Sequence, residues 1–196
     1  MSLQIKKEDG SIYDPVFLQI ITDIPGGVTV ATDRFPTDTK EIKKGALLND
    51  GGSGLFNIIK TVKTTAYAVS GATVLAIVPP DHLFKVGEKI FLKAAAASTI
   101  TRVSSTAIAI TAVLKLANTP ATDTVLYETA AAGASAAKYD ADCILRDTIQ
   151  VRDEEGNLLE NLFAGAVVRG EIDESELPYF VTDQQKTDLT ARIRFS

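Results

Sequence analysis

Short apolar runs with a period of two, separated by turn residues, are the feature that most limits what this chain can fold into. Along residues 108–116, every second side chain is aliphatic, from Ile108 to Leu116, and the side chains between them, which form the opposite face, include Thr111 and Lys115. Residues 73–78 form an apolar, β-branched run that ends at Pro79-Pro80, where the backbone has no N–H to donate to a sheet ladder. These patterns predict half-buried strands and a mainly β protein.

Helix is predicted only near the C-terminal end of the chain. Thr182 and Gln185 have the spacing of a capping box, in which each side chain bonds the backbone of the other, so a short helix is expected from there to about Thr190. Residues 173–177 are expected to form one further helical turn that ends before Pro178, because the residue before a proline is pushed out of the α region. The fold class is therefore mainly β with one short C-terminal helix.

The arrangement of strands and connectors predicts a domain inserted into another domain. An alanine-rich tract over residues 130–137 separates the central strand patterns from the C-terminal ones. We predict that residues 1–65 and 138–196 form a discontinuous base domain, a β-sandwich or barrel-like unit. Residues 66–137 are predicted to form an inserted, projecting small β domain. Two consecutive domains are the alternative, and a chain of 196 residues has room for either arrangement.

Composition excludes several classes of protein. A net charge of -5 disfavours a nucleic-acid partner, which requires a basic surface to release counterions from phosphates. The apolar runs are interrupted by charged, polar or proline residues before they reach the length of a membrane span, and the first ten residues lack a signal-peptide pattern. We therefore expect a soluble protein made in a cytoplasm, with no membrane and no nucleic acid as partners.

Residues with catalytic potential are few. His82 is the only histidine and Cys143 the only cysteine, so a multi-histidine or cysteine-rich metal site is excluded. We interpret His82 as a surface loop residue and Cys143 as a buried structural thiol. Ser53 lies in a glycine cluster that has neither the spacing of a nucleophile elbow nor the ending of a phosphate-binding loop. The sequence predicts that the protein is not an enzyme and has no cofactor.

Two acidic clusters, at residues 153–155 and 173–176, are the remaining candidates for metal binding. Their carboxylates do not follow the spacing of a Ca²⁺-binding loop. Gly156 and Asn157, after the first cluster, tolerate the positive φ of a hairpin connection. Solvated turns are our interpretation of both clusters, and weak Ca²⁺ binding is the alternative.

Several segments, in chain order, resemble those of head fiber and capsid decoration proteins of tailed bacteriophages. The most recognisable is the strand Val167-Val168-Arg169-Gly170-Glu171-Ile172, which is followed by an acidic turn and Leu177-Pro178. Four earlier segments share the resemblance, and they lie at residues 24–30, 42–48, 82–88 and 139–147. The similarity covers nearly the whole chain, and it rests on the order of the segments. The acidic Glu174-Ser175-Glu176 departs from the expected pattern.

The resemblance implies a structural virion protein on the outer surface of a phage capsid, which stabilises the capsid or projects from it as a fiber. The major capsid protein would be its partner, and a homo-oligomer, a dimer or a trimer, would suit the symmetric sites of a capsid. A tail or baseplate receptor-binding module is the alternative. A bacterial surface adhesion domain is a third, which the missing secretion signal disfavours.

Docking is expected to depend on apolar and main-chain contacts of the base domain. Short strands near glycines carry apolar residues that we expect to form an exposed edge, with two charged residues of the recognisable strand beside them. The predicted contact residues are Val28, Val30, Leu47, Leu48, Arg169 and Glu171.

Overall fold

The structure is a computed structural model of the chain, and it describes most of its residues. The described residues are 16–36, 38–52, 54–66, 72–79, 82–93, 96–110, 123–131, 136–160 and 162–196.

Eight strands form one mixed sheet, which we call the sheet unit together with the segments packed on it. They are β1 (Phe17–Asp23), β2 (Val28–Val30), β4 (Leu47–Asp50), β5 (Leu55–Ile58), β12 (Cys143–Leu145), β14 (Leu162–Ala164), β15 (Ala166–Ile172) and β16 (Ile193–Phe195). Their order is β1-β15-β12-β4-β5-β2-β14, and β16 pairs with β15. The pairs β2–β5 and β15–β16 are parallel. Strands β1 and β14 are therefore the two ends of this order.

Smaller elements complete the sheet unit. Strands β3 (Glu41–Ile42) and β13 (Ile149–Gln150) pair as a two-stranded sheet. A short 3-10 helix (Glu174–Glu176) and helix α1 (Asp183–Leu189) lie between β15 and β16.

The remaining strands form a closed barrel. They are β6 (Thr61–Thr64), β7 (Val74–Val78), β8 (Lys89–Lys93), β9 (Ala96–Ser104), β10 (Ala107–Ile110) and β11 (Val125–Thr129). The order around the barrel is β10-β7-β6-β11-β8-β9. Its core contains Val62, Ile77, Phe84, Ile108 and Leu126, all almost fully buried.

The sheet is covered on both faces at its centre. Leu48 and Leu145 belong to one hydrophobic cluster, whereas their neighbours Leu47 and Ile144 belong to another. Because successive side chains of a strand point to opposite faces, these two clusters lie on opposite sides of β4 and β12. The second cluster also includes Leu189 of α1, so the helix covers that face.

The predicted fold class is confirmed. The chain is mainly β, the sheet draws its strands from both sides of the barrel segment, and α1 is the one α-helix among the described residues. Strand β6 pairs within the barrel, although it precedes the predicted boundary at residue 66. The division into independently folding domains stays a prediction. The second half of the alternating run, residues 111–116, lies outside the described residues, as do residues 132–135 of the alanine-rich tract.

Two local predictions near the C-terminal end are also confirmed. The Thr182 hydroxyl accepts a hydrogen bond from the Gln185 N–H at 3.3 Å, and the Thr182 N–H donates to Gln185 Oε1 at 2.9 Å, which completes the capping box. Asp173 caps the 3-10 helix by accepting from the Ser175 N–H. Local side-chain chemistry determines both elements, so the sequence alone could predict them.

Candidate interaction surfaces

The four apolar residues predicted to contact a partner lie in the interior. Val28, Val30, Leu47 and Leu48 are each at most 4% exposed. Strand β2 is paired on both sides, by β5 and β14, and β4 is paired by β12 and β5. The expectation that these residues form an exposed apolar edge is therefore wrong. Strands from the C-terminal part of the chain, β14 and β12, cover one edge of β2 and of β4 respectively, and β5 covers the other edge of each.

The two charged residues of the prediction do lie at the surface. Arg169 of β15 is exposed, and Glu171, two residues further along the same strand, is half-buried. The Glu171 carboxylate accepts a hydrogen bond from the Ser196 hydroxyl at 2.7 Å and lies 3.6 Å from Arg194 Nε. Whether either residue contacts a partner stays a prediction.

Gly170, between these two charges, lets the edge strand β1 approach closely. A Cβ atom at this position would lie 2.4 Å from the backbone oxygen of Gln19 in β1, which is far inside a van der Waals contact. Ile20 of β1 is the residue paired with Gly170. The Arg-Gly-Glu motif thus places one charge on either side of a close backbone contact.

Strand β1 carries exposed apolar side chains along the sheet edge. Leu18, Ile20 and Ile21 are 46%, 44% and 55% exposed. Residues 17–22 contain no charged residue and no proline, which are devices that natural edge strands use against unwanted pairing. This surface was not among the predicted contact residues, although the uncharged run between Pro15 and Asp23 is a signal in the sequence that could have predicted it.

A second apolar surface lies at the opposite edge of the sheet, on β14. Phe163 is 70% exposed. It is paired with Thr29 of β2, which is paired in turn with Leu55 of β5. Leu55 and Leu158 line a groove of about 410 Å³ together with polar residues. We call Phe163, Leu55 and Leu158 the β14 surface. The sequence analysis did not identify it either.

Buried charges join the barrel to the sheet unit. Lys60, just before β6, is ion-paired with Glu88 of the barrel and also donates to the backbone oxygen of Arg34 at 2.6 Å. Arg34 is paired with Glu128 of β11, which also accepts from Lys138 at 2.7 Å. We call these five residues the junction cluster.

The centre of the junction cluster is shielded from water. The side chains of Lys60 and Glu128 are only 1% and 4% exposed. Burial lowers the pKa of Lys60, and the neighbouring carboxylates of Glu88 and Glu128 oppose that shift by favouring the charged ammonium. Paired buried charges of this kind fix the relative placement of the segments that carry them, because separating them leaves a charge without compensation.

His82 is not a surface residue, and the interpretation as an exposed loop residue is wrong. Its side chain is buried, with Nε2 2.9 Å from the Ser104 backbone oxygen, while Nδ1 accepts from the Phe84 N–H at 3.3 Å. Both ring nitrogens therefore contact backbone groups. The ring also lines a groove of about 490 Å³ between the barrel and residues 38–43.

Cys143 is buried, as predicted. Burial among apolar side chains, with a smaller contribution from the Asp142 carboxylate, raises the pKa of its thiol to about 12. A protonated thiol is a poor nucleophile. Cys143 lies in the hydrophobic core of the sheet, whereas His82 contacts the backbone of Ser104 and Phe84 in the barrel segment. No contact between Cys143 and His82 is observed among the described residues.

The acidic turns bind their own backbone. Asp153 accepts hydrogen bonds from the N–H and the side-chain amide of Asn157, and these bonds lower the pKa of its carboxyl. Within the described ranges, no group of three or more His, Cys, Asp or Glu side chains is arranged to hold a metal ion. The predicted hairpin connection is present, with Gly156 at a φ of +86°.

No helix in the described part of the chain is long and apolar enough to cross a membrane. Comparison with family models, with curated proteins and with solved structures returned no match to this chain.

Proposed function

We propose that this protein is a structural virion protein, a head fiber or decoration protein that binds the outer surface of a phage capsid. It stabilises the capsid or projects from it, and its partners are the major capsid protein and further copies of itself. The resemblance of the ordered segments motivates the proposal, and the distribution of exposed apolar side chains supports it.

The observation that carries the proposal is the concentration of exposed apolar side chains on the sheet unit. Among the residues that the structure describes, eight large hydrophobic side chains are exposed, and six of them belong to the sheet unit: Leu18, Ile20, Ile21, Leu158, Leu159 and Phe163. Exposed apolar surface of this kind is typical of protein–protein contact sites. The base of the protein is thus the part suited to docking, and the barrel, with Val74 and Val86, is the part suited to projection.

Attachment would depend on apolar burial at the β14 surface. Phe163 is the most exposed large hydrophobic side chain among the described residues, and aromatic side chains are common anchors of protein interfaces. A capsid presents many identical sites, and an oligomer that engages several of them at once binds more tightly than one copy does. Apolar contacts persist at high salt, whereas attraction between exposed charges is screened beyond about 8 Å at physiological ionic strength.

The test is re-binding of the purified protein to capsids that lack it. We expect co-sedimentation at both 0.1 M and 1 M NaCl, and at least tenfold weaker binding of Phe163→Asp, because a charge in the anchor position opposes burial. The matched control is Val86→Asp, an equally drastic change at a 62% exposed residue of the barrel, which should bind normally.

Release by NaCl alone would contradict apolar docking. Absence of capsid binding together with binding to host cells would contradict the decoration role and support the tail or baseplate module instead.

A further inference from the structure

We draw no further inference here: the strongest candidate, the apolar edge of β1 with the exposed side chains of Leu18, Ile20 and Ile21, carries none, because nothing in the structure shows what covers it.

Discussion

At the scale of single residues, the glycine of the Arg-Gly-Glu motif has a steric reason. Gly170 is buried, and any side chain there would collide with the backbone of β1, because the nearest atom to its Cβ would be a carbonyl oxygen at 2.4 Å. We expect Gly170→Ala to lower the free energy of unfolding by roughly 1–3 kcal/mol, the usual cost of overpacking. Denaturant titration measures this change.

Gly165, which precedes the same strand, is the matched control for that substitution. A Cβ atom there would meet only the side chains of Arg146 and Asp147, at 2.9 Å, and both side chains are exposed and can move. Gly165→Ala should therefore cost well under 1 kcal/mol. Equal losses for the two variants would contradict the close approach of β1 as the reason for Gly170.

The buried thiol of Cys143 should make stability depend on alkaline pH. The unfolded thiol ionises near pH 9, whereas the folded thiol keeps its proton until its pKa of about 12. Between these values the unfolded state binds fewer protons, so the contribution of Cys143 to stability is lost as the pH rises. From pH 8 to pH 10, wild type should lose about 1 kcal/mol more than Cys143→Ala.

Chemical unfolding at the two pH values measures the difference, and the comparison with Cys143→Ala removes the contributions of all other titrating groups. Parallel pH profiles of the two proteins would show that the folded thiol ionises as readily as the unfolded one.

At the scale of elements, the features that depend on neighbouring residues could be predicted from the sequence. The features that depend on residues far away in the chain could not. The capping box of α1 lies within four residues, so Thr182 and Gln185 identify the helix by themselves. The burial of Val28 and Val30 depends on β14, more than 130 residues away, which no local pattern indicates. For the same reason, the exposed edges at Ile20 and Phe163 became visible only once the strand order was known.

Helix α1 has seven residues, so its cap should contribute much of its stability. We expect Thr182→Ala to cost about 1 kcal/mol, since the N–H of Gln185 loses its acceptor. Thr187→Ala, at an exposed position of the same helix, is the matched control and should be nearly neutral. Thermal unfolding followed by circular dichroism distinguishes the two. A neutral Thr182→Ala would mean that burial of Leu189 alone maintains the helix.

At the scale of the whole molecule, the junction cluster couples the barrel to the sheet unit. Lys60 and Arg34 lie in segments that adjoin the sheet, whereas Glu88 and Glu128 belong to the barrel. The Thr61 hydroxyl adds a hydrogen bond to the Phe180 backbone oxygen at 2.6 Å. Composition and periodicity could not predict this cluster, because its members come from four separate parts of the chain. A projecting barrel held by buried ion pairs would keep a fixed direction relative to its base.

Glu128→Gln tests that coupling in the full chain. The substitution removes the buried carboxylate that Arg34 and Lys138 share and leaves Arg34 only the longer contact with Glu88, at 3.8 Å, so we expect a loss of about 3 kcal/mol, the lower end of the range for breaking a buried pair. Because the lost contacts join the two units, calorimetry should show one thermal transition for wild type and two for the variant. Asp23→Asn, which breaks the exposed pair with Arg146, is the matched control and should cost at most about 1 kcal/mol. A single transition in Glu128→Gln, with a loss no larger than that of Asp23→Asn, would show that the cluster does not couple the units.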